Sequence, residues 1–354
     1  MLETLPGGGS AFPRPQSLGL STTNAVRYYS VADRILCFTG ADEAVLNLVH
    51  GFLSGYYFNP VRSDDTRNQP AAIIEINRGE PANLPTRGSG FAIEDGFCFP
   101  SNDQILLEVN GSTILVGPSG SNRTIVWLSE ATAGKHPLAL NNVILYAVQA
   151  ALRRAGMYQF HAGGVVAPDR LGGILLVGDS GSGKSTLTAT LVSNRWRFVS
   201  DDNLLLRDTP SGIVSWALRR YFTFDESTLG ACGLLQFETA IGGRVPGDAD
   251  KIRFYARRAF PESFVESVFP DVILFPEVGD GSKSRIEPFK QGNALARLIR
   301  QCPWATCDAA AATDHLKALA TLVRQTRSYS FVAGRDIFED PESIPNLIRQ
   351  QIDA

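Results

Sequence analysis

The sequence predicts an α/β fold: a core of P-loop type over residues 138–354, preceded by an α+β lobe over 21–137 and a tail over 1–20. Three observations carry this. Residues 178–186 read GDSGSGKST between an apolar strand-like run and a helix-like run. Residues 72–128 carry short, often β-branched runs broken by Asn-Gly and Gly-Pro turns. A long helical period from Leu138 to Arg154 lies between the two regions, ending in basic residues and Gly156.

Taken in order, MLETLPGGGSAFPRPQSLGL has no basic start followed by an apolar stretch, so it reads as a flexible Gly/Pro-rich tail and not as a secretory signal. Apolar residues at helical spacing predict a helix over Asp42–Phe52. Strands are expected at Ala72–Ile76, Gly90–Ile93, Ile105–Val109, Thr113–Val116 and Thr124–Leu128, with Asn110-Gly111 as a hairpin turn. Past the long helix, FHAGGVVA (160–167), the turn PDRLGG (168–173) and ILLVG (174–178) predict a hairpin feeding the glycine loop. A helix then leads to FVSDD (198–202), a buried strand ending in two carboxylates. A strand at Asp271–Phe275, helices at Asn293–Arg300 and Asp314–Gln325, a strand at Tyr329–Ala333 and a last amphipathic helix at Pro341–Gln351 complete the chain.

With 44% hydrophobic and 19% charged residues, 354 residues suffice for a large core in two lobes. A net charge of −3 gives no reason to expect nucleic acid or an anionic membrane as partner. No apolar run reaches the length of a membrane helix, and a cytoplasmic location is expected. The five cysteines are odd in number. Cys302 and Cys307 have no second Cys/His pair nearby to complete a zinc site, so reduced thiols are expected. Homo-oligomerisation is left open.

The motif G-x4-G-K-[ST] is matched at every required position, and the run Gly178, Asp179, Ser180, Gly181, Ser182, Gly183, Lys184, Ser185 and Thr186 is the candidate nucleotide-binding segment. Glycines let successive N–H groups point inward at phosphate, and the following helix adds its positive end. Lys184 is expected on the β/γ-phosphates of ATP and the Ser185 hydroxyl on Mg²⁺. Of Asp201 and Asp202, one carboxylate can serve the metal while the other acts as a base toward a hydroxyl, which is kinase chemistry. His161, on the strand expected to pair with the loop's strand, can sit beside the phosphates or orient an aspartate. Arg219, Arg220, Arg253, Arg257 and Arg258 are candidate clamps for phosphates or acceptor, with solvated surface charge as the alternative.

Together, in this order, His161-Ala-Gly-Gly-Val, GDSGSGKST and RFVSDD (197–202) resemble the C-terminal catalytic domain of the bacterial HPr kinase/phosphorylase family. The resemblance implies a P-loop kinase core related in architecture to phosphoenolpyruvate carboxykinase, acting on a serine hydroxyl of a protein. It implies Lys184 on phosphate, Ser185 on Mg²⁺, Asp202 as proton acceptor, Asp201 supporting metal or geometry, and His161 in the active site. Thr186 stands where the family usually has Glu, and the family's later Mg²⁺-binding Glu has only Glu226 at a plausible distance. The N-terminal lobe differs from the family's regulatory domain. The expected activity is therefore that of an HPr-kinase-like relative, an ATP- and Mg²⁺-dependent serine kinase. Its expected acceptor is a serine of a peptide or small protein, as in peptide-modifying relatives of the lasso-peptide type. Two alternatives are a kinase of free serine or another small alcohol, and a nucleotide-gated regulatory ATP-binding protein.

Overall fold

The computed structural model describes residues 25–40, 43–62, 69–101, 103–134, 137–169, 172–245, 248–305 and 307–352. The expected tail over 1–20 lies outside them, as do residues 170–171 of the expected turn.

The fold is mixed α/β, with three sheets among the described residues. In the first lobe the strands are β1 (Ala25–Val31), β2 (Arg34–Gly40), β3 (Asn59–Val61), β4 (Ala72–Arg78), β5 (Phe91–Ile93), β6 (Gly96–Pro100), β7 (Ile105–Val109), β8 (Ser112–Val116) and β9 (Arg123–Leu128). They form one sheet in the order β3-β1-β2-β4-β9-β8-β7-β6-β5, parallel where β4 meets β2 and β9. Asn110 (φ 50°) and Gly111 (φ 80°) are both left-handed, which is what the two-residue turn between β7 and β8 demands. Helix α1 (Glu43–Leu53) buries Val45, Leu46, Val49 and Leu53. Of the two helices that follow, α2 (Glu130–Gly134) is short and α3 (Pro137–Arg154) is long. Val143, Ile144, Ala147 and Val148 of α3 complete this core, and Met157, Leu205 and Leu218 of the second lobe join it.

In the second lobe, β10 (Met157–Val166), β11 (Gly173–Val177), α4 (Lys184–Ser193), β12 (Arg197–Ser200), β13 (Asn203–Thr209) and β14 (Gly212–Ala217) build the region around the glycine loop. The long strand β10 organises it. His161 pairs with Asn203 of β13 and Gly164 with Ser200 of β12 along one edge, while Ala162 pairs with Val177 of β11 on the other. Asp201 and Asp202 therefore fall in the break between two strands that both register against β10. The approach is close: a Cβ on Gly163 would lie 2.8 Å from the Asp201 carbonyl oxygen, so only glycine fits there.

A small sheet, β15 (Phe222–Phe224), β16 (Ile241–Val245) and β17 (Asp248–Phe254), stands beside the loop with α5 (Glu226–Ala231). After α6 (Ala256–Ala259), β18 (Ser267–Val268) joins the edge of β14. Strands β19 (Pro270–Val278) and β21 (Arg327–Ala333) extend β11 in parallel, and β20 (Arg285–Pro288) closes the far edge. Leu298 of α7 (Gln291–Arg300) and Leu322 of α8 (Ala309–Gln325) pack with Phe275 on one face. On the other, Leu187 and Leu191 of α4 meet Ile344 and Ile348 of α10 (Ser343–Ile352), which follows the short α9 (Asp336–Glu339). Among the described residues, no helix is long and apolar enough to cross a membrane.

Candidate functional site

The buried strand β11 ends at Val177, and the chain reverses through Gly181 (φ 80°) and Gly183 (φ 91°) before α4 begins at Lys184. No side chain caps the first turn of α4. An α-helix leaves its first N–H groups without intrahelical partners, so this turn offers donors and a positive dipole end to an anion. Ser180, Gly181, Gly183, Lys184, Ser185 and Thr186 line a cavity of about 260 Å³ together with His161 and Asp202. Gly178, Asp179 and Ser182 face a second cavity on the other side of the loop. There Asp179 accepts a 2.6 Å hydrogen bond from Gln301.

Lys184 is almost wholly buried and donates to the carbonyls of Gly178 (2.7 Å) and Asp179 (3.0 Å). Burial pushes its pKa below the ordinary lysine value, an effect the neighbouring aspartates oppose. The Ser185 hydroxyl donates to Asp201 Oδ2 at 3.2 Å. Asp201 is fully buried and also accepts from the Thr223 backbone N–H (3.1 Å) and from Arg219 (3.4 Å). Burial raises its carboxyl to about 6, and Arg219 works against that rise.

Asp202 is the more open carboxylate. Its Oδ1 lies 3.1 Å from His161 Nδ1, and its Oδ2 accepts from Arg219 and Asn203, both at 3.3 Å. A carboxylate only accepts, so His161 carries its proton on Nδ1. Burial pushes the imidazole pKa below its ordinary value, with Asp202 opposing, which leaves a neutral ring at pH 7. Arg219 thus braces both carboxylates, and its charge is held firmly: burial disfavours it, but Asp201 and Asp202 more than offset that.

The remaining arginines are turned to other work. Arg220 donates to Tyr56 O and Asn59 Oδ1 and stacks on Tyr57, tying the lobes together. Arg253 lies over Tyr221, Arg257 over Phe264 and Arg258 over Tyr255. None of these four lines the cavity over the loop.

One expected ligand is displaced. Glu226 is 75% exposed, has Arg244 at 4.0 Å, and is not part of the cavity wall. Its neighbour Asp225 is there instead, capping α5 through the Thr228 N–H at 2.7 Å. Thr228 and Lys251 also line the cavity, and no sequence motif marks either.

No family model matches the chain, and no curated protein matches it. Among solved structures it resembles the Hpr(Ser) kinase/phosphatase from Coxiella burnetii at 12% identity and a TM-score of 0.29, over 55% of this chain and 95% of that one.

Its donor set suits a hard cation held partly by phosphate. Among the described residues, no group of three or more His, Cys, Asp or Glu converges into a ready cage. Mg²⁺ commonly takes one or two carboxylates and fills its other positions with waters and substrate phosphates. The bonded pair Ser185 Oγ and Asp201 Oδ2 offers oxygens of that kind beside the uncapped turn.

Proposed function

We propose that the chain is a Mg²⁺- and ATP-dependent kinase, acting in the cytoplasm, that transfers a γ-phosphoryl group to a hydroxyl. The observation that carries this is the division between the two aspartates. Asp201 is buried and bonded to the motif serine, whereas Asp202 faces the same cavity as Lys184 and is held by His161. A protein that only binds ATP needs no second carboxylate across the cavity from its phosphate loop.

In this reading the triphosphate rests on the loop amides and the first turn of α4, with Lys184 as the cation on the β/γ-phosphates. Ser185 and Asp201 would hold Mg²⁺, which supplies charge neutralisation at the phosphates when bound. The acceptor O–H gives its proton to Asp202. The oxygen attacks the γ-phosphorus, the bond from that phosphorus to the bridging oxygen breaks, and ADP leaves with the electron pair. His161 and Arg219 fix the carboxylate that takes the proton.

The test is Lys184→Ala. It removes a charge-assisted contact to the phosphates, so ATP binding should weaken and transfer should vanish. Unchanged turnover would sink the assignment of the loop.

A further inference from the structure

Beyond the site already described, the structure holds a further cavity on the far side of His161. It measures about 160 Å³ and lies where α3 faces β10, β13 and α8. Gln149 and Arg153 come from α3, Gln159 and His161 from β10, Asn203 from β13, and His315 from α8. His161 lines both cavities. Asn203 donates to Asp202 Oδ2 at 3.3 Å, so the wall between the cavities is built around the carboxylate expected to take a proton.

Two features of this cavity are incompletely matched by the protein: Arg153 lies over the Trp304 ring at 5.3 Å and shares its counter-ion, and His315 lacks hydrogen-bond partners. The first is charge. Arg154 takes Asp308 through both oxygens, Nε to Oδ2 and NH2 to Oδ1, each at 2.9 Å. Arg153 reaches that same carboxylate only at 3.5 Å. Two guanidiniums thus share one anion, and Arg153 is only 7% exposed. Burial pushes the Arg153 pKa down, with Asp308 opposing. A buried cation without its own counter-ion is costly, and an anionic ligand would relieve that cost. The second feature is His315, 2% exposed and stacked on Tyr158 with ring centroids 4.3 Å apart. Among the described residues neither of its nitrogens has a hydrogen-bond partner. Burial lowers it to about 4, so the ring is neutral and offers one donor and one acceptor.

We propose that this cavity is the acceptor site, and that the acceptor is a small alcohol carrying a carboxylate. The inference rests on the kinase reading above. The carboxylate pairs with Arg153, His315 and Gln149 supply further hydrogen bonds, and the hydroxyl end points toward His161 and Asp202. The volume is below the roughly 300–1,000 Å³ of drug-sized sites, which suits a molecule of a few carbons and excludes a folded peptide segment.

The experiment uses the full chain and a matched panel. Glycerate and L-serine carry the carboxylate, glycerol and 2-amino-1,3-propanediol lack it, and a peptide with an internal serine stands for a macromolecular acceptor. Binding is read by calorimetry, and transfer from Mg²⁺·ATP by phosphorus NMR. At least one carboxylated alcohol should bind and be phosphorylated, while its carboxylate-free counterpart does neither. His315→Phe keeps the ring stack and Arg153→Lys keeps the charge. Each should raise the KM for that alcohol at least roughly tenfold more than the KM for ATP, since each removes a hydrogen bond to a buried polar group. Phosphorylation of the peptide and of none of the small acids would overturn the proposal and leave the kinase standing. Equal use of glycerate and glycerol would overturn it as well. Absence of ATP binding, measured before any acceptor is added, would remove the kinase reading and this proposal with it.

Discussion

Asp202→Asn is the most discriminating change the site allows. The amide is nearly isosteric, so what changes is the capacity to take a proton. In the protein Oδ1 accepts from His161 at 3.1 Å, while Oδ2 accepts from Arg219 and Asn203 at 3.3 Å. An amide oxygen can keep the two bonds on the Arg219 side, but its NH₂ group then meets a donor at His161. Because that ring is held neutral, it can move its proton to Nε2 and accept from the amide through Nδ1. The geometry survives with the tautomer reversed. Arg219 keeps Asp201 as a counter-ion at 3.4 Å, so no buried charge is stranded. Folding and ATP affinity should therefore change little. Transfer should fall roughly 10²–10⁴-fold, equivalent to about 3–5 kcal/mol in the barrier, the usual worth of a positioned base. The assay measures ATP binding by calorimetry and phosphoryl transfer by quench-flow, each across a Mg²⁺ titration. Rate recovery at high Mg²⁺ would make Asp202 a metal ligand instead of a base. Full transfer at ordinary Mg²⁺ would refute both roles, whereas nucleotide binding without transfer by the wild-type chain would favour a nucleotide-gated binding protein.

Three further changes probe the frame around that carboxylate. Arg219→Leu strands Asp201, which has no exposed surface, and should cost about 3–5 kcal/mol in chemical denaturation, as breaking a buried pair does. Asp201 makes metal-free stability depend on pH. Burial holds its carboxyl above the ordinary aspartate value, so its contribution is complete below that ordinary value and is lost as pH rises through the raised one. The lowered His161 and His315 act with the opposite sign below pH 6.5, so the quantity to read is the difference between wild type and Asp201→Asn. A flat difference would remove the buried carboxyl as its source. Gly183→Ala meets open space, with Val278 at 3.7 Å, yet must hold φ near 91°. It should cost about 1–3 kcal/mol from backbone strain alone and weaken ATP binding, and an unshifted melting temperature would contradict the loop geometry.

The glycine loop, the helix after it, the Asp pair and His161 were legible because each is a short local pattern. Strand β10 then collects them, with β11 on one edge and β12 and β13 on the other. The long helix α3 and the helices α7, α8 and α10 were legible from their apolar period. The sheet β15–β17 was not, because Asp248–Phe254 turns apolar only near its end and its pairing with β16 is irregular. Arg219 and Arg220 look alike in sequence. In the fold one faces the carboxylates while the other crosses to the first lobe. Glu226 lies off the cavity wall for a local reason: the carboxylate that caps a helix turns back toward the loop it follows, and that residue is Asp225, which accepts from the Thr228 N–H. The second cavity had no sequence signal at all. Its wall runs from Gln149 to His315 through four elements, and its guanidinium is left with a shared counter-ion only because Arg154 binds Asp308 more closely. A motif announces a site when one stretch of backbone binds the ligand. A site made by elements distant in sequence that meet on a shared counter-ion is visible only once those elements are placed.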